Sequence, residues 1–196
     1  MAPRSDTRER MVAAALELFG RRGYHATAFS DVVEAGNVPR GSIYFHFPGG
    51  KEELARAVSE AATVEIVGLC DTAAASADGP ESYVRALVEI VAERLVRTGY
   101  ERGCAVATMV LELAPYAPEM QATFADCFQR WRDTMAAHLI GWGIAPQDAT
   151  DSAVMIMSTL EGALLLSRAL GSTDPLYRTA DQLVAGLPKR PKRKRA

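Results

Sequence analysis

Between Asn37 and Leu54 the chain reads NVPRGSIYFHFPGGKEEL. Arg40 brings a planar fork of donors, Ser42, Tyr44 and His46 bring single donors, Phe45 brings a flat apolar face, and Lys51 adds a cation at what reads as a helix start. Cations and neutral donors, together with a glycine, Gly41, that admits a close backbone, suit the phosphates and base edges of a nucleic acid. Lys51 is doubly placed for phosphate, by its own charge and by the free N–H groups of a helix N-terminus, and Glu52 and Glu53 complement the dipole of that first turn.

Catalysis has little to draw on. His25, His46 and His138 are far apart, no Cys, His or carboxylate spacing forms a metal signature, and neither a glycine-rich phosphate loop nor a nucleophile elbow occurs. The chain is expected not to be an enzyme and to need no cofactor or metal. Cys70, Cys104 and Cys127 are odd in number and widely spaced, which suits reduced thiols. No signal-peptide core opens the chain, and no run of consecutive apolar residues approaches the ~18 of a membrane span. A cytoplasmic protein without a membrane partner is the expectation.

The net charge of −2 is unevenly distributed. Residues 1–51 carry +2, residues 52–187 carry −10, and residues 188–196 carry +6. A polyanion would meet such a chain at its ends, and the acidic middle opposes wrapping of DNA around it.

Periodicity is helical nearly throughout. Ser5 or Asp6 can cap a first helix carrying Met11, Val12, Ala15, Leu16 and Phe19 on one face, and Gly23 ends it. Thr27 can cap a short second helix with Phe29, Val32 and Val33, which stops near Gly36 and Asn37. Pro39, Pro80, Pro118, Pro146 and Pro175 each stand where a helix would begin. Helices are thus predicted near 39–46, 51–70, 80–98, 103–114, 118–141, 146–170 and 174–186, an all-α chain of about nine helices. Three short helices with an Asn-containing turn between the second and third describe a helix-turn-helix unit, in which Ile43 and Phe47 anchor the third helix and its remaining side chains face outward.

The stretch from Arg8 to Leu54 resembles the DNA-binding domain of the TetR family of bacterial transcriptional regulators. The resemblance is carried by Phe-x-x-x-Gly-Tyr at the end of helix 1 (Phe19 to Tyr24), by Gly-x-x-Tyr-x-x-Phe (Gly41 to Phe47) and by Lys51. GCAVATMVLELA and STLEGALLLSRAL are similar to the LmrA/YxaF-like subgroup. The resemblance implies phosphate contacts from Thr27, Tyr44, His46 and Lys51, and base or groove contacts from Arg40, Gly41, Ser42 and Phe45. Pro39 replaces a hydroxyl residue common in the family, Phe45 lacks a Tyr hydroxyl, and Gly49 with Gly50 lengthens the loop by one residue. It also implies ligand-controlled repression, with activation as the opposite sign. The expected organisation is a helix-turn-helix head over 1–50, a connecting helix over 51–70, a ligand-binding and dimerisation domain over 71–187, and a disordered basic tail over 188–196.

In the acidic part, AVMIMSTLEGALLLSRAL is apolar on almost every side, so one face can pack on its own subunit and the other on a second copy. Met157, Leu160, Leu164 and Leu183 are the residues expected there. A two-fold homodimer in turn predicts a palindromic double-stranded DNA operator. Met109, Phe124, Phe128, Trp131 and Met155 can line a pocket for a small-molecule effector or be plain core. Glu112 and Glu161 lie in apolar runs and need partners, from a ligand or from Arg102, Arg130 or Arg168. The alternative overall reading is a helical DNA-associated or protein-interaction protein without ligand control.

Overall fold

The computed structural model describes Arg4–Pro188, and over those residues the chain is all-α, with nine helices and no strand. They are α1 (Arg4–Arg22), α2 (Phe29–Ala35), α3 (Ser42–His46), α4 (Gly50–Ala75), α5 (Pro80–Arg97), α6 (Ala105–Leu113), α7 (Pro118–Gly141), α8 (Pro146–Leu170) and α9 (Asp174–Gly186). The expectation for the basic tail falls, from residue 189 onward, outside the described residues.

Proline punctuation accounts for most of the starts: Pro80, Pro118 and Pro146 open α5, α7 and α8, and Pro175 is the second residue of α9. Pro39 is the exception. It lies before a turn whose carbonyl accepts from the Ser42 amide at 3.0 Å and from the Ser42 hydroxyl at 2.6 Å, and α3 starts only there. Two other boundaries move. α1 begins at Arg4, upstream of Ser5 and Asp6, and Asp6 pairs with Arg10 one turn on. α4 runs on to Ala75, because the small, polar segment after Cys70 keeps an unbroken helical ladder.

The described chain divides into two compact units. One takes the residues up to Glu65 together with Arg102–Phe128; the other takes Ile66–Glu101 and the residues from Gln129 on. In the first, Met11, Phe19, Ile43, Phe47 and Leu54 are fully or almost fully buried, and α6 packs along α1. The turn between α2 and α3 is built on Asn37, which takes a left-handed φ of 48°, tolerable for Asn and costly for a branched residue. Arg10 reaches over from α1 and donates to the carbonyl oxygens of Asn37 (2.9 Å) and Gly36 (3.4 Å), the groups that a helix C-terminus leaves unsatisfied.

In the second unit Tyr83, Leu139 and Ile156 sit in one apolar cluster, and Val88, Leu95 and Leu176 in another. His138 Nε2 lies 2.8 Å from Asp71 Oδ1, and the Tyr83 ring packs against His138 (5.6 Å) and Trp142 (5.3 Å). Burial beside Tyr83 pushes the Cys70 thiol up to about 11. An 18-residue window of α8 has a mean hydropathy of 1.5, enough by length and composition to cross a membrane. Ser158, Thr159 and Glu161 interrupt its consecutive apolar residues, yet the average stays high. Ala153, Ile156 and Ala163 turn into the two clusters.

Two outcomes follow from this packing. Arg10→Ala removes charge-assisted donors from half-exposed carbonyls and should cost about 1 kcal/mol, a fall in Tm of about 2–4 °C by calorimetry. In the native protein at pH 8, alkylation followed by peptide mass spectrometry should leave Cys70 and Cys127 unmodified, since both are buried and Cys70 stays a thiol there, whereas half-exposed Cys104 is modified first.

Candidate nucleic-acid interface

A five-residue helix has few hydrogen bonds of its own. α3 is held from one side, where Ile43 and Phe47 are 2% and 0% exposed, and the Phe47 amide closes the last turn on the Ile43 carbonyl at 2.8 Å. That leaves Tyr44 and Phe45 standing out at 69% and 62% exposure, with Arg40 and Gly41 also exposed. Nothing lies within 4 Å of where a Gly41 side chain would start, so the backbone there is open to a close approach.

The outward side chains are braced. Tyr44 meets Phe29 of α2 edge to face at 5.7 Å, and Phe45 meets His46 at 5.2 Å, with His46 half-buried. Ser42 spends its hydroxyl proton on Pro39, which leaves its oxygen as an acceptor. Gly50, at φ 76°, makes the left-handed turn into α4, and Glu53 accepts from the Gly49 amide at 2.8 Å. A glycine at position 50 is thus what the turn requires. Lys51, next in line, lies with Nζ 4.3 Å from the centre of the Tyr24 ring. Burial lowers its pKa, and the carboxylates of Glu112 and Asp31 oppose that.

Thr27 departs from expectation. Its side chain is fully buried and its hydroxyl donates to the Gly23 carbonyl at 2.8 Å, so it neither caps α2 nor reaches a phosphate. Asp31 takes the capping role, accepting from the Ala28 amide at 3.0 Å.

Glu112 also departs. It meets neither Arg102, Arg130 nor Arg168; its carboxylate accepts from the backbone N–H of Tyr24 (3.2 Å) and His25 (2.6 Å) in the turn between α1 and α2. Arg102 pairs instead with Glu17 (3.1 Å) and Glu65 (3.0 Å). Of the other expected pocket residues, Met109 and Phe124 are buried and Phe128 half-buried in the first unit, whereas Trp131 is buried and Glu161 half-buried in the second. Met155 is 61% exposed on α8, where it lines a groove of about 400 Å³ with Asp148, Asp151 and Leu183 that takes in none of the other six.

Of the expected dimer residues, Met157, Leu160 and Leu164 are half-buried. Leu183 is buried in its own chain, and Met157, Leu160 and Leu164 pack against the two clusters of the second unit. The face of α8 left exposed carries Val154, Met155, Leu165, Leu166 and Leu170, spaced at helical intervals with the small Ser158 and Gly162 between them. An all-round apolar helix gives no sign in its sequence of which stripe faces home. Arg10 went unnoticed as a support because its partners are backbone carbonyls distant in sequence.

Comparison with known proteins agrees with this geometry. Residues 11–58 match the family of bacterial regulatory proteins of the tetR type, and residues 80–182 match the C-terminal domain of LmrA/YxaF-like transcriptional regulators. An uncharacterised HTH-type transcriptional regulator of Mycobacterium tuberculosis is 36% identical over 193 residues, covering 93% of this chain and 97% of that protein. The HTH-type transcriptional regulator LmrA of Bacillus subtilis is 27% identical, covering 87% and 91%. The crystal structure of a TetR regulatory protein from Rhodobacter sphaeroides shares the fold, with a TM-score of 0.82 at 22% identity, over 93% of this chain and 99% of that one. With its helix-turn-helix head and its LmrA/YxaF-like C-terminal domain both matched, the chain belongs to the TetR family of DNA-binding transcriptional regulators and is not an enzyme.

Proposed function

We propose that the chain is a cytoplasmic, ligand-released repressor that binds a palindromic operator as a homodimer. The observation that carries this reading is the outward face of α3: Tyr44 and Phe45 project from a helix whose other side is locked in the core, and Arg40 stands exposed in the turn that leads into it. Arg40 supplies base-edge or groove recognition, with Gly41, Ser42 and Phe45 beside it. Tyr44, His46 and Lys51 contact phosphates on either side. The second copy covers the exposed stripe of α8, with α9 contributing Tyr177, which is 43% exposed. A contiguous apolar face of that kind is uncommon on a free monomer. A small-molecule effector acts by preferring one geometry of the part over 71–187, and weakens DNA binding by that preference and no more.

The test is selection of bound fragments from the source genome at moderate salt, with wild type and an Arg40→Ala, Tyr44→Ala double variant in parallel. Wild type alone should recover a palindrome; recovery of the same unstructured mixture by both would sink the proposal. On the recovered site, Arg40→Ala alone should weaken binding about ten- to a hundredfold, as loss of a good base contact does. Leu166→Glu should sediment as a monomer in analytical ultracentrifugation, and should bind the full palindrome far more weakly than wild type.

A further inference from the structure

Gly23 ends α1 with a φ of 88°, open to glycine and strained for other residues, and a Cβ built there would overlap Glu112 Oε1. The missing side chain leaves a notch, and the carboxylate of Glu112 fills it. From there Oε1 takes the Tyr24 amide and Oε2 the His25 amide, two successive N–H groups aimed at one anion. Thr27 closes the same turn from the other side through its bond to the Gly23 carbonyl. His25 is exposed, so water could satisfy its amide; the carboxylate adds a fixed direction for the turn rather than a missing partner. The direction matters because Tyr24 carries the Lys51 ammonium on its ring face, 4.3 Å from the centre.

We propose that Glu112 of α6 is a positioning residue for DNA binding: it fixes the turn after α1, the turn sets the Tyr24 ring, and the ring holds Lys51 at the mouth of α4 for a phosphate. Glu112 makes no contact with DNA itself. The proposal rests on the reading of Lys51 and α3 as the nucleic-acid surface. It brings into DNA recognition a residue from the segment matched as the C-terminal domain, on a helix packed along α1. The register of α6 against that turn then becomes a variable of DNA affinity.

The test is a double-mutant cycle on the tightest fragment from the genomic selection, using full-length protein, fluorescence anisotropy and a salt series, at a temperature where melting curves show every variant folded. Glu112→Gln keeps the size of the side chain but offers one acceptor oxygen in place of two. It should weaken binding about tenfold and reduce the slope of log K against log salt by about one, as Lys51→Ala does. The double variant should bind no more than about twofold more weakly than the weaker single, because both changes remove the same contact. Binding by Glu112→Gln within twofold of wild type, an unchanged salt slope, or effects of the two substitutions that multiply would each overturn the proposal. A fall in Tm with binding intact would assign Glu112 to stability alone and overturn it as well. Should Glu112→Gln fail to fold, Glu112→Asp replaces it, and there a loss of at least threefold is expected and none would refute. Arg40→Ala serves as the reference: if it too binds like wild type, the nucleic-acid reading fails first and Glu112 is not to blame.

Discussion

Ile43 and Phe47 sink one side of a five-residue helix into the first compact unit, and every outward side chain of that helix takes its direction from that burial. Fully burying a pair of this size is worth roughly 2–3 kcal/mol for each side chain, more than so short a helix gains from its own hydrogen bonds. Arg10 holds the preceding turn, Phe29 braces Tyr44, and Gly50 turns the chain out into α4. A surface for reading DNA must present donors at fixed separations, and here fixity comes from beneath the helix rather than from within it.

Charge is arranged on the same economy. The acidic weight of residues 52–187 would repel a polyanion, whereas the surface meant for one has only a small positive excess. Recognition therefore leans on placement rather than on bulk attraction. Lys51 illustrates this: it lies on the Tyr24 ring, and burial disfavours its charge while the carboxylates of Glu112 and Asp31 partly offset that.

Most of the fold was legible in the sequence. Prolines marked the starts of α5, α7, α8 and α9 to within a residue, since that signal acts locally through a missing N–H. Ile43 and Phe47 were legible as anchors by their spacing. Thr27 was not legible as a buried residue, because a threonine before a short helix looks like a cap until Asp31 is seen to do that work. Glu112 announced itself as a carboxylate in an apolar run, but its partners are backbone amides more than eighty residues away, and a backbone amide has no letter in a sequence. α8 hid its orientation for a different reason: with apolar residues on every side, only the positions of its neighbours decide which stripe stays wet.

The exposed stripe of α8 has a consequence for the life of the newly made chain. A solitary molecule shows Leu165, Leu166 and Leu170 to water, at 66%, 54% and 68% exposure. Such a surface adheres to whatever apolar face it meets first, including chaperones, proteases and other nascent chains. If a second copy covers the stripe, as proposed above, finding it is a second-order event, so halving the number of chains quarters the rate of pairing while leaving the other encounters undiminished for each chain. Synthesis of several copies from one message, close together in space and time, would shorten that unprotected interval more effectively than any gain in the stability of the single folded chain.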